Sequence, residues 1–557
     1  MKRKKHFPLS IHHCTSYIVH RTLSIVHRTS YIVHCTLLFT LSSCSDFLGI
    51  LPLNEIVLEN YWTSEDDVNA MVSACYSRMA TDDIVKHAFV WGEFRSDNIV
   101  RGLGTSNEEI EILEGNLQPS HSVTYWGAYY DVINLCNTTL HYAPDVLDRD
   151  PDFGESEWLA LRSEVLSLRA LCYFYLVRTF RDVPLVLTPT IDDNTSYQQA
   201  AADPDDVLRQ IVADLTEAER YAVRRFAGDD YNRGRITLTA VQAILADVYL
   251  WMEDYDNCIA YADKVIASKI DEAERENMRY DGRWPLIGNQ KENATAETHE
   301  AYNRIFGEGN SFESIFELQF NAAQQYNTII PGYYGRASSP IGAVSAASFI
   351  CDGATSGNEL FTKNDLRAVE NFNAKSTSFY PIQKYVVSSF DNQDRPTYIT
   401  VETSNWIFYR LTDVMLMEAE ALVQRRDGNE QDMRDAFRLV TSVYNRANIG
   451  QAARDTLTFS SFNSKAKMES LVLEERQREL MFEGKRWFDL VRKARREGTN
   501  SAMLDLAKRK YTYPDAVKSK WIKPDMLYFP INEDELKKNL LLTQNPGYDM
   551  GETIKKN

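Results

Sequence analysis

The sequence has little of what marks an enzyme, a metalloprotein or a membrane-spanning protein. A Gly-rich phosphate loop, a nucleophile elbow and histidines at metal-ligand spacing are all missing. A membrane span needs about 20 consecutive apolar residues, and the chain offers no such window. Only four histidines follow the first 43 residues, and they form no ligand-like pair: His87, His121, His141 and His299. The sequence therefore predicts no catalytic residue, no metal site and no cofactor.

Positive charge is also scarce. Of the 61 basic residues, six lie in the first 43 positions, which leaves 55 basic residues against 79 acidic ones and a net charge near −24. Proteins that bind nucleic acids present a basic face to the phosphates. We therefore expect no nucleic-acid partner and no flat adsorption on anionic lipid.

Cysteines are few and scattered. Of the eight cysteines, five follow residue 44, and no CxxC pair occurs. Cys136 and Cys172 lie within apolar helical patterns, where cysteine usually acts as a small buried residue. An odd number leaves at least one free thiol, so we expect few or no disulfides.

The first 43 residues differ in character from the rest of the chain. Residues 16–36 repeat a seven-residue pattern rich in β-branched residues and histidine, which favours low-complexity leader sequence over a coiled coil. An apolar run at 37–43 then ends in two serines before Cys44. This arrangement resembles a bacterial lipobox, where the peptide is cut before a cysteine that receives acyl chains. We predict a signal or leader peptide at 1–43 and a lipidated lead-in at 44–62. The alternative is an ordinary cysteine in a leader region.

Helical periodicity dominates residues 63–269 and returns in residues 401–557. Pairs of amphipathic helices joined by tight turns, with small residues at the contact, are typical of tetratricopeptide-type hairpins. We therefore predict a mostly all-α fold in which such hairpins form a scaffold. Single helices are predicted at 63–79, 122–143, 156–180 and 467–497, and hairpins at 157–178 with 205–225, at 237–267 and at 410–447.

The segment 270–400 has a different composition. Helical periodicity fades there, while glycine, asparagine, serine, proline and aromatic residues become more frequent. Loops of this length are uncommon unless they are functional. We predict that 270–400 is a loop-rich insertion forming the ligand-facing layer of the helical body. A tail punctuated by prolines is predicted at 511–550.

A charged cluster near the C-terminal end could be mistaken for a catalytic acid site. Its carboxylates alternate with arginines at helical spacing, which predicts structural ion pairs. Its members are Glu475, Arg476, Arg478, Glu479, Glu483 and Arg486. Glu418 and Glu420 are two residues apart and point to different sides of a helix, so they cannot form a glycosidase pair by themselves. Glu164 and Arg169, and Arg410 with Asp413, are also predicted to be structural.

Several segments resemble, in order, the SusD/RagB family of outer-membrane lipoproteins, the nutrient-binding partners of TonB-dependent SusC-type transporters. They lie at 44–48, 130–137, 164–178, 183–186, 234–237, 409–421, 475–492 and 544–548. The chain departs from the family pattern in its long leader and at Arg181, where the family often has glycine. The resemblance implies a lipoprotein at the cell surface that captures a nutrient and acts as a lid over the transporter.

Sugar binding needs aromatic platforms and fixed polar groups, because sugar rings stack on aromatic faces while polar side chains bind the hydroxyls. One candidate set matches a family segment that often borders the ligand groove: Trp91, Arg95, Asp97 and Asn98. A second set lies in the predicted insertion, with its last two members in a flexible loop: Trp284, Tyr326, Tyr333 and Tyr334. The alternatives are that Trp91 is a buried anchor and Asp97 a loop cap. Trp126 and Trp487 are predicted to be core residues.

The resemblance thus implies a non-enzymatic receptor that delivers an oligosaccharide to a SusC-like transporter and is anchored at Cys44. Three alternatives stay open. The same architecture could bind peptides. A surface glycan hydrolase would need two carboxylates about 5–9.5 Å apart, free of arginine partners. The third alternative is a bare tetratricopeptide scaffold that binds protein partners. The aromatic-rich insertion argues against this alternative.

Overall fold

Most of the described chain is helical, in agreement with the predicted fold class. The computed structural model describes residues 61–190, 198–280, 283–288, 298–376, 379–426, 429–448 and 457–548. The leader and Cys44 lie outside these residues, so the signal-peptide and lipidation predictions stay predictions. No helix within these ranges is long and apolar enough to cross a membrane.

The helices fall into two groups separated by the loop-rich segment. The first group comprises α1 (Glu65–Met79), α2 (Asp82–Glu93), α3 (Asn107–Leu113), α4 (Gly127–Tyr142), α5 (Glu155–Phe180), α6 (Pro204–Tyr221), α7 (Asp229–Gly234), α8 (Leu238–Trp251) and α9 (Tyr255–Arg275). Three short helices lie in the loop-rich segment: α10 (Ile329–Tyr334), α11 (Ser348–Cys351) and α12 (Arg367–Glu370). The second group comprises α13 (Leu411–Gln424), α14 (Glu430–Ala447), α15 (Lys465–Leu480), α16 (Arg486–Glu497), α17 (Ser501–Lys510), α18 (Pro514–Trp521) and α19 (Glu533–Lys538).

Shorter elements complete the architecture. A helical turn at Glu300–Tyr302 continues into π-helical Asn303–Glu308, and 3₁₀ turns occur at Ser122–Thr124, Ala143–Asp148, Ala354–Ser356, Phe459–Phe462 and Pro524–Leu527. The strands are β1 (Ile99–Arg101), β2 (Ser314–Leu318), β3 (Val344–Ala346), β4 (Val387–Phe390), β5 (Pro396–Tyr398) and β6 (Trp406–Arg410).

Three helical hairpins form the scaffold, as the sequence predicts. Helix α5 packs on α6, α8 on α9, and α13 on α14. A buried ion pair joins the first hairpin, since Arg169 donates two hydrogen bonds of 2.8 Å to the Asp214 carboxylate. The turn between α8 and α9 is tight because Glu253 adopts a positive φ of 62°. The tetratricopeptide-like fold class is therefore confirmed.

The prediction of one helix over 122–143 is wrong at its start. Residues Ser122–Thr124 form a 3₁₀ turn, and α4 begins only at Gly127. Tyr125 lies between them with an extended backbone (ψ 125°), which interrupts the helical path. Trp126, which directly precedes α4, is buried as predicted.

The prediction of one long helix over 467–497 is also wrong, because the chain breaks between α15 and α16. Phe482 and Gly484 both have positive φ, of 68° and 69°. A Cβ atom on Gly484 would lie 2.6 Å from the carbonyl oxygen of Ala88, and one on Gly92 would lie 1.8 Å from the Gly484 carbonyl oxygen. The break therefore lets two backbones touch where α2 crosses the α15–α16 corner.

The loop-rich segment is joined to the helical body by short antiparallel strand pairs. Strand β1 pairs with β3, and β2 pairs with β6, so each pair links the segment to a part of the chain outside it. All residues of β2 and β6 are buried. Strands β4 and β5 form a hairpin within the segment. That this segment faces the ligand stays a prediction.

The charged cluster on α15 is a buried ion-pair network, as predicted. The Glu479 carboxylate accepts hydrogen bonds from Arg410 at 2.6 Å and from Arg367 at 3.0 Å, and it also pairs with Arg446. Burial raises the pKa of Glu479, but the three guanidinium groups outweigh it and hold that pKa well below its usual range. Glu483 is held similarly by Arg410 and by Lys384 at 2.8 Å.

Arg410 and Asp413 are both structural, as predicted, but each pairs with other residues and not with the other. Arg410 binds the carboxylates of Glu479 and Glu483. Asp413 pairs with Arg476 and Lys485, each at 3.0 Å. The reason is geometric: Arg410 ends β6 and Asp413 lies in the first turn of α13, so the two side chains leave in different directions.

The Arg181 departure from the family pattern has a structural explanation. Arg181 follows α5 with a positive φ of 68°, a conformation in which glycine is not strained. Its guanidinium donates hydrogen bonds to Asp182 at 2.9 Å and to Asp525 at 2.8 Å. These two ion pairs hold the arginine where glycine would otherwise be preferred.

Candidate functional site

Three of the four candidates near α2 lie in the protein interior. Trp91 is 0% exposed, and its indole N–H donates to the Val123 carbonyl oxygen at 2.8 Å. Arg95 donates to the Leu527 carbonyl oxygen at 3.1 Å and lies over the Trp487 ring at 4.1 Å. The Asn98 amide donates to the buried Glu93 carboxylate at 2.6 Å. These side chains anchor the core, and the structure does not support them as ligand contacts.

Asp97 is mostly buried and holds a structural partner. Its carboxylate accepts hydrogen bonds from Arg486 at 2.9 and 3.1 Å. Burial alone would raise the pKa of Asp97, but the Arg486 guanidinium outweighs it and lowers that pKa. Asp97 therefore fixes the start of α16 against the α2 segment rather than reaching toward a ligand.

The predicted loop around Tyr333 and Tyr334 is the short helix α10, and both tyrosines are buried. The Tyr334 hydroxyl donates to the Phe482 carbonyl oxygen at 2.6 Å, which ties α10 to the α15–α16 corner. The ring of Tyr333 packs on Phe89 with centroids 5.1 Å apart. The flexible-loop prediction is therefore wrong, because local glycines cannot reveal that an aromatic core receives these rings.

The other two aromatic candidates remain accessible. Tyr326 is 47% exposed, just before α10. Trp284 is partly exposed, and the guanidinium of Arg283 lies 4.1 Å from its ring centroid. That these two residues contact a ligand stays a prediction.

The segment that follows the buried candidates borders a cavity of about 250 Å³, here called the junction cavity. It lies where β1 pairs with β3. Its lining comprises Val100, Arg101, Leu113, Glu114, Ser345, Ala346, Ser348, Phe379, Tyr380 and Lys510. The cavity thus combines two aromatic rings with two serine hydroxyls, two cationic groups and one carboxylate.

Two polar groups of the junction cavity, those of Lys510 and Ser345, are held by neighbouring backbone. The Lys510 ammonium donates to the Phe94 and Ser96 carbonyl oxygens, at 2.8 and 2.5 Å. Burial lowers the pKa of Lys510 to about 7, although nearby carboxylates act in the opposite sense. The Ser345 hydroxyl donates to the Tyr380 carbonyl oxygen at 3.0 Å. Arg101 is exposed and forms no ion pair with any other described residue.

None of these lining residues is predicted from the sequence. Arg101, Phe379, Tyr380 and Lys510 come from distant parts of the chain, and no local spacing connects them. Only the aromatic pair at 379–380, inside the segment already predicted to face the ligand, offered a usable signal.

Two further cavities open on the loop-rich segment. One of about 540 Å³, here called the loop cavity, lies beside the β4–β5 hairpin. The other, of about 230 Å³, is bordered by the α15 ion-pair network and by His299. Its arginines and carboxylates are already paired with one another, so it offers little free charge to a ligand.

Two classes of site can be assessed over the described ranges. No group of three or more histidine, cysteine, aspartate or glutamate residues within them could hold a metal ion. The five cysteines that they include are all buried free thiols: Cys75, Cys136, Cys172, Cys258 and Cys351. Burial raises the pKa of the Cys172 thiol, which keeps it protonated and unreactive.

Fold and cavities together define a class: a scaffold of helical hairpins that carries a loop-rich layer with accessible cavities. Residues 312–548 match a family model described as "SusD family". Residues 46–250 match a second model, described as "Starch-binding associating with outer membrane". The chain belongs to the SusD/RagB family.

Known proteins of similar sequence span nearly the same length. "SusD-like protein P38" of Formosa agariphila is 24% identical over 473 residues, covering 81% of this chain and 88% of the relative. "SusD-like protein P25" of the same organism is 24% identical over 500 residues, covering 82% and 88%.

Solved structures share the fold. A SusD superfamily protein from Bacteroides vulgatus gives a TM-score of 0.65 at 18% identity, covering 87% of this chain and 100% of that one. A structure described as "Laminarin binding SusD-like protein" gives 0.61 at 23% identity, with coverage of 87% and 100%. At these identities the likeness establishes the fold alone.

Proposed function

We propose that the protein binds an oligosaccharide at the cell surface and delivers it to a SusC-like, TonB-dependent transporter. The observation that carries this proposal is the junction cavity, with Phe379 and Tyr380 beside serine hydroxyls, the cation Arg101 and the amine of Lys510. Sugars bind through such a combination of ring faces and fixed polar groups. The family description as starch-binding, and one structural relative described as laminarin-binding, support a glycan as cargo.

We further propose that acyl chains on Cys44 hold the protein at the outer membrane, facing outward. The apolar run and the two serines before Cys44 support this anchor. Two or more acyl chains give stable membrane attachment, since each buried methylene contributes about 0.8 kcal/mol. The matched family description, which places its members in association with the outer membrane, is consistent with it.

The proposed capture involves no bond cleavage. The α15 carboxylates are neutralised by arginines, which leaves them unsuited to act as acid and nucleophile. Glu418 differs, because burial raises its pKa to about 8 and no described cation pairs with it. Glu418, however, borders none of the three cavities, so a sugar bound in them would not reach it.

Isothermal titration of the full chain tests the capture role. Neutral oligosaccharides, uronate-containing oligosaccharides and peptides are titrated in parallel, and any bound glycan is assayed for cleavage products. Tyr380→Ala should weaken glycan binding by about tenfold, equivalent to 1.4 kcal/mol. Tyr231→Ala serves as the matched control, because Tyr231 is an exposed tyrosine on α7 that does not line the cavity.

The outcomes separate the alternatives. Peptide binding without glycan binding would show that the ligand is a peptide and not a glycan. Release of shorter sugars would indicate a hydrolase. No binding of either class would refute capture as stated. Delivery is tested by solubilising outer membranes and isolating the protein by affinity, where a TonB-dependent barrel should co-purify in about equal amount.

A further inference from the structure

The loop cavity is lined almost entirely by uncharged groups. Its fifteen lining residues include one charged side chain, that of Glu308. Aromatic rings, amides and hydroxyls therefore surround a space of about 540 Å³, within the range of about 300–1,000 Å³ usual for ligand pockets.

Two glycines shape the wall of this cavity. A Cβ atom on Gly307 would lie 1.7 Å from the Ser388 carbonyl oxygen, so only glycine lets the π-helical segment touch β4. Gly309 has a positive φ of 73°, and a Cβ there would lie 3.3 Å from the Asn405 amide nitrogen. The β4–β5 hairpin supplies the neighbouring wall through Ser388, Thr397 and Tyr398. The wall is thus fixed by backbone contacts and does not depend on long, mobile side chains.

An amide network lies beneath the lining. The Asn405 amide nitrogen donates to Glu317 at 2.8 Å and to Gln319 at 3.2 Å. The Asn310 amide nitrogen donates to Gln319 at 3.0 Å, and the Asn310 backbone N–H donates to Glu317 at 2.6 Å. The network is centred on Glu317, which is fully buried, and burial raises the pKa of its carboxyl. Two lining amides are therefore pre-oriented before any ligand arrives.

One acceptor of this network is unused. The Asn310 side-chain oxygen is buried and has no hydrogen-bond partner among the described residues. A buried acceptor without a donor costs about 1–3 kcal/mol, and such groups are uncommon in folded proteins. The oxygen has almost no exposed surface, so a bound hydroxyl can donate to it only when the Asn310 side chain turns toward the cavity.

We propose that the loop cavity is a second binding site, specific for uncharged sugar rings and separate from the junction cavity. Aromatic rings at Phe306, Phe320 and Tyr398 line the space for C–H stacking, and the exposed hydroxyls of Thr397 and Thr400 can bind those of a sugar. The scarcity of charge argues against phosphate, sulfate or uronate groups. No described residue lines both cavities. Only the class of ligand, a glycan, is taken from the proposed function; the location of the second site does not depend on it.

A second site has a functional consequence. Two sites on one chain that bind parts of the same polysaccharide raise the overall affinity, because the second contact becomes intramolecular. The two cavities would then hold a longer glycan more tightly than either holds a short one.

Soaked crystals of the full chain test the location. Maltotriose, laminaritriose and xylotriose are the probes, each soaked separately. Sugar in both cavities supports the second site. Sugar in the loop cavity alone also supports the second site, but it refutes the junction cavity as the capture site. Sugar in the junction cavity alone overturns the second site and leaves the proposed function standing. Sugar in neither cavity overturns both the second site and the proposed capture at the junction cavity. Sugar that is seen in crystals but does not bind in solution overturns them as well.

A cavity-filling variant tests the same site in solution. Thr400 is exposed and lines the loop cavity, so Thr400→Trp should fill it without disturbing the core. Asn392→Trp is the matched control, because Asn392 is exposed on the β4–β5 turn and lines no cavity. We expect Thr400→Trp to weaken one of two trisaccharide-binding steps by about tenfold while the other step is unchanged. Equal binding by both variants would contradict the proposal.

Discussion

Removal of the Glu479 charge is expected to destabilise the fold strongly. Glu479 is the shared partner of Arg367, Arg410 and Arg446, all buried on elements that are far apart in sequence. Glu479→Gln keeps the side-chain shape but leaves these three cations with one carboxylate fewer. Breaking a buried pair by removing one partner costs about 3–5 kcal/mol. We expect a loss of that size in the free energy of unfolding.

Urea titration followed by tryptophan fluorescence measures this loss. Glu474→Gln is the matched control, because Glu474 lies on the same helix, pairs with Arg478 at 3.9 Å and is 50% exposed. A surface pair of this kind is worth about 0–1 kcal/mol, so the control should stay close to wild type.

The Glu479 ion pairs also make the stability of the fold depend on pH. The folded-state pKa of Glu479 is lowered, so its contribution is present above the unfolded pKa and is lost as the pH falls through the folded value. Wild type should therefore lose stability in acid more steeply than Glu479→Gln. A cost below about 1 kcal/mol for Glu479→Gln, or parallel acid profiles, would refute the assignment of Glu479 as the centre of the network.

Three further predictions concern other parts of the chain. The two carboxylates that pair with His299 outweigh the effect of burial and raise its pKa. This pairing therefore stabilises the fold below the unfolded-state pKa of about 6.5. The stabilisation is lost as the pH rises through the folded-state pKa of His299. The thermal midpoint of wild type should fall over that window, and His299→Asn should abolish the fall. Gly484→Ala should cost more than Gly498→Ala, since both positions have positive φ but only the first has backbone within 3 Å of the new Cβ; equal unfolding midpoints would contradict this. Cys44→Ser should move the protein from the membrane fraction to the soluble fraction, and unchanged fractionation with no acyl mass on wild type would refute the anchor.

Helices and hairpins were largely predictable because their signal is local. The period of apolar residues, the acidic first turn after Ser64 and the turn at Glu253 each act over a few residues. The predictions are wrong where a long-range contact overrides the local sequence pattern. The run at 467–497 has helical periodicity throughout, yet Gly484 breaks it because α2 must approach the backbone there.

The candidate site was less predictable for the same reason. Trp91 and Tyr334 carry the right chemistry for stacking on sugars, but the fold places both in the aromatic core. Arg101, Tyr380 and Lys510 carry no local signature, and pairing of β1 with β3 brings them around one cavity.

The sequence by itself determined the helical scaffold and the structural role of the charged cluster, since periodicity and arginine–carboxylate spacing are properties of neighbouring residues. Its ordered segments also carried the resemblance to the family. Tertiary structure decided which aromatic rings are buried, where the long helix breaks and which residues line the cavities. Burial and cavity shape depend on residues hundreds of positions apart, and only the folded backbone brings those residues together.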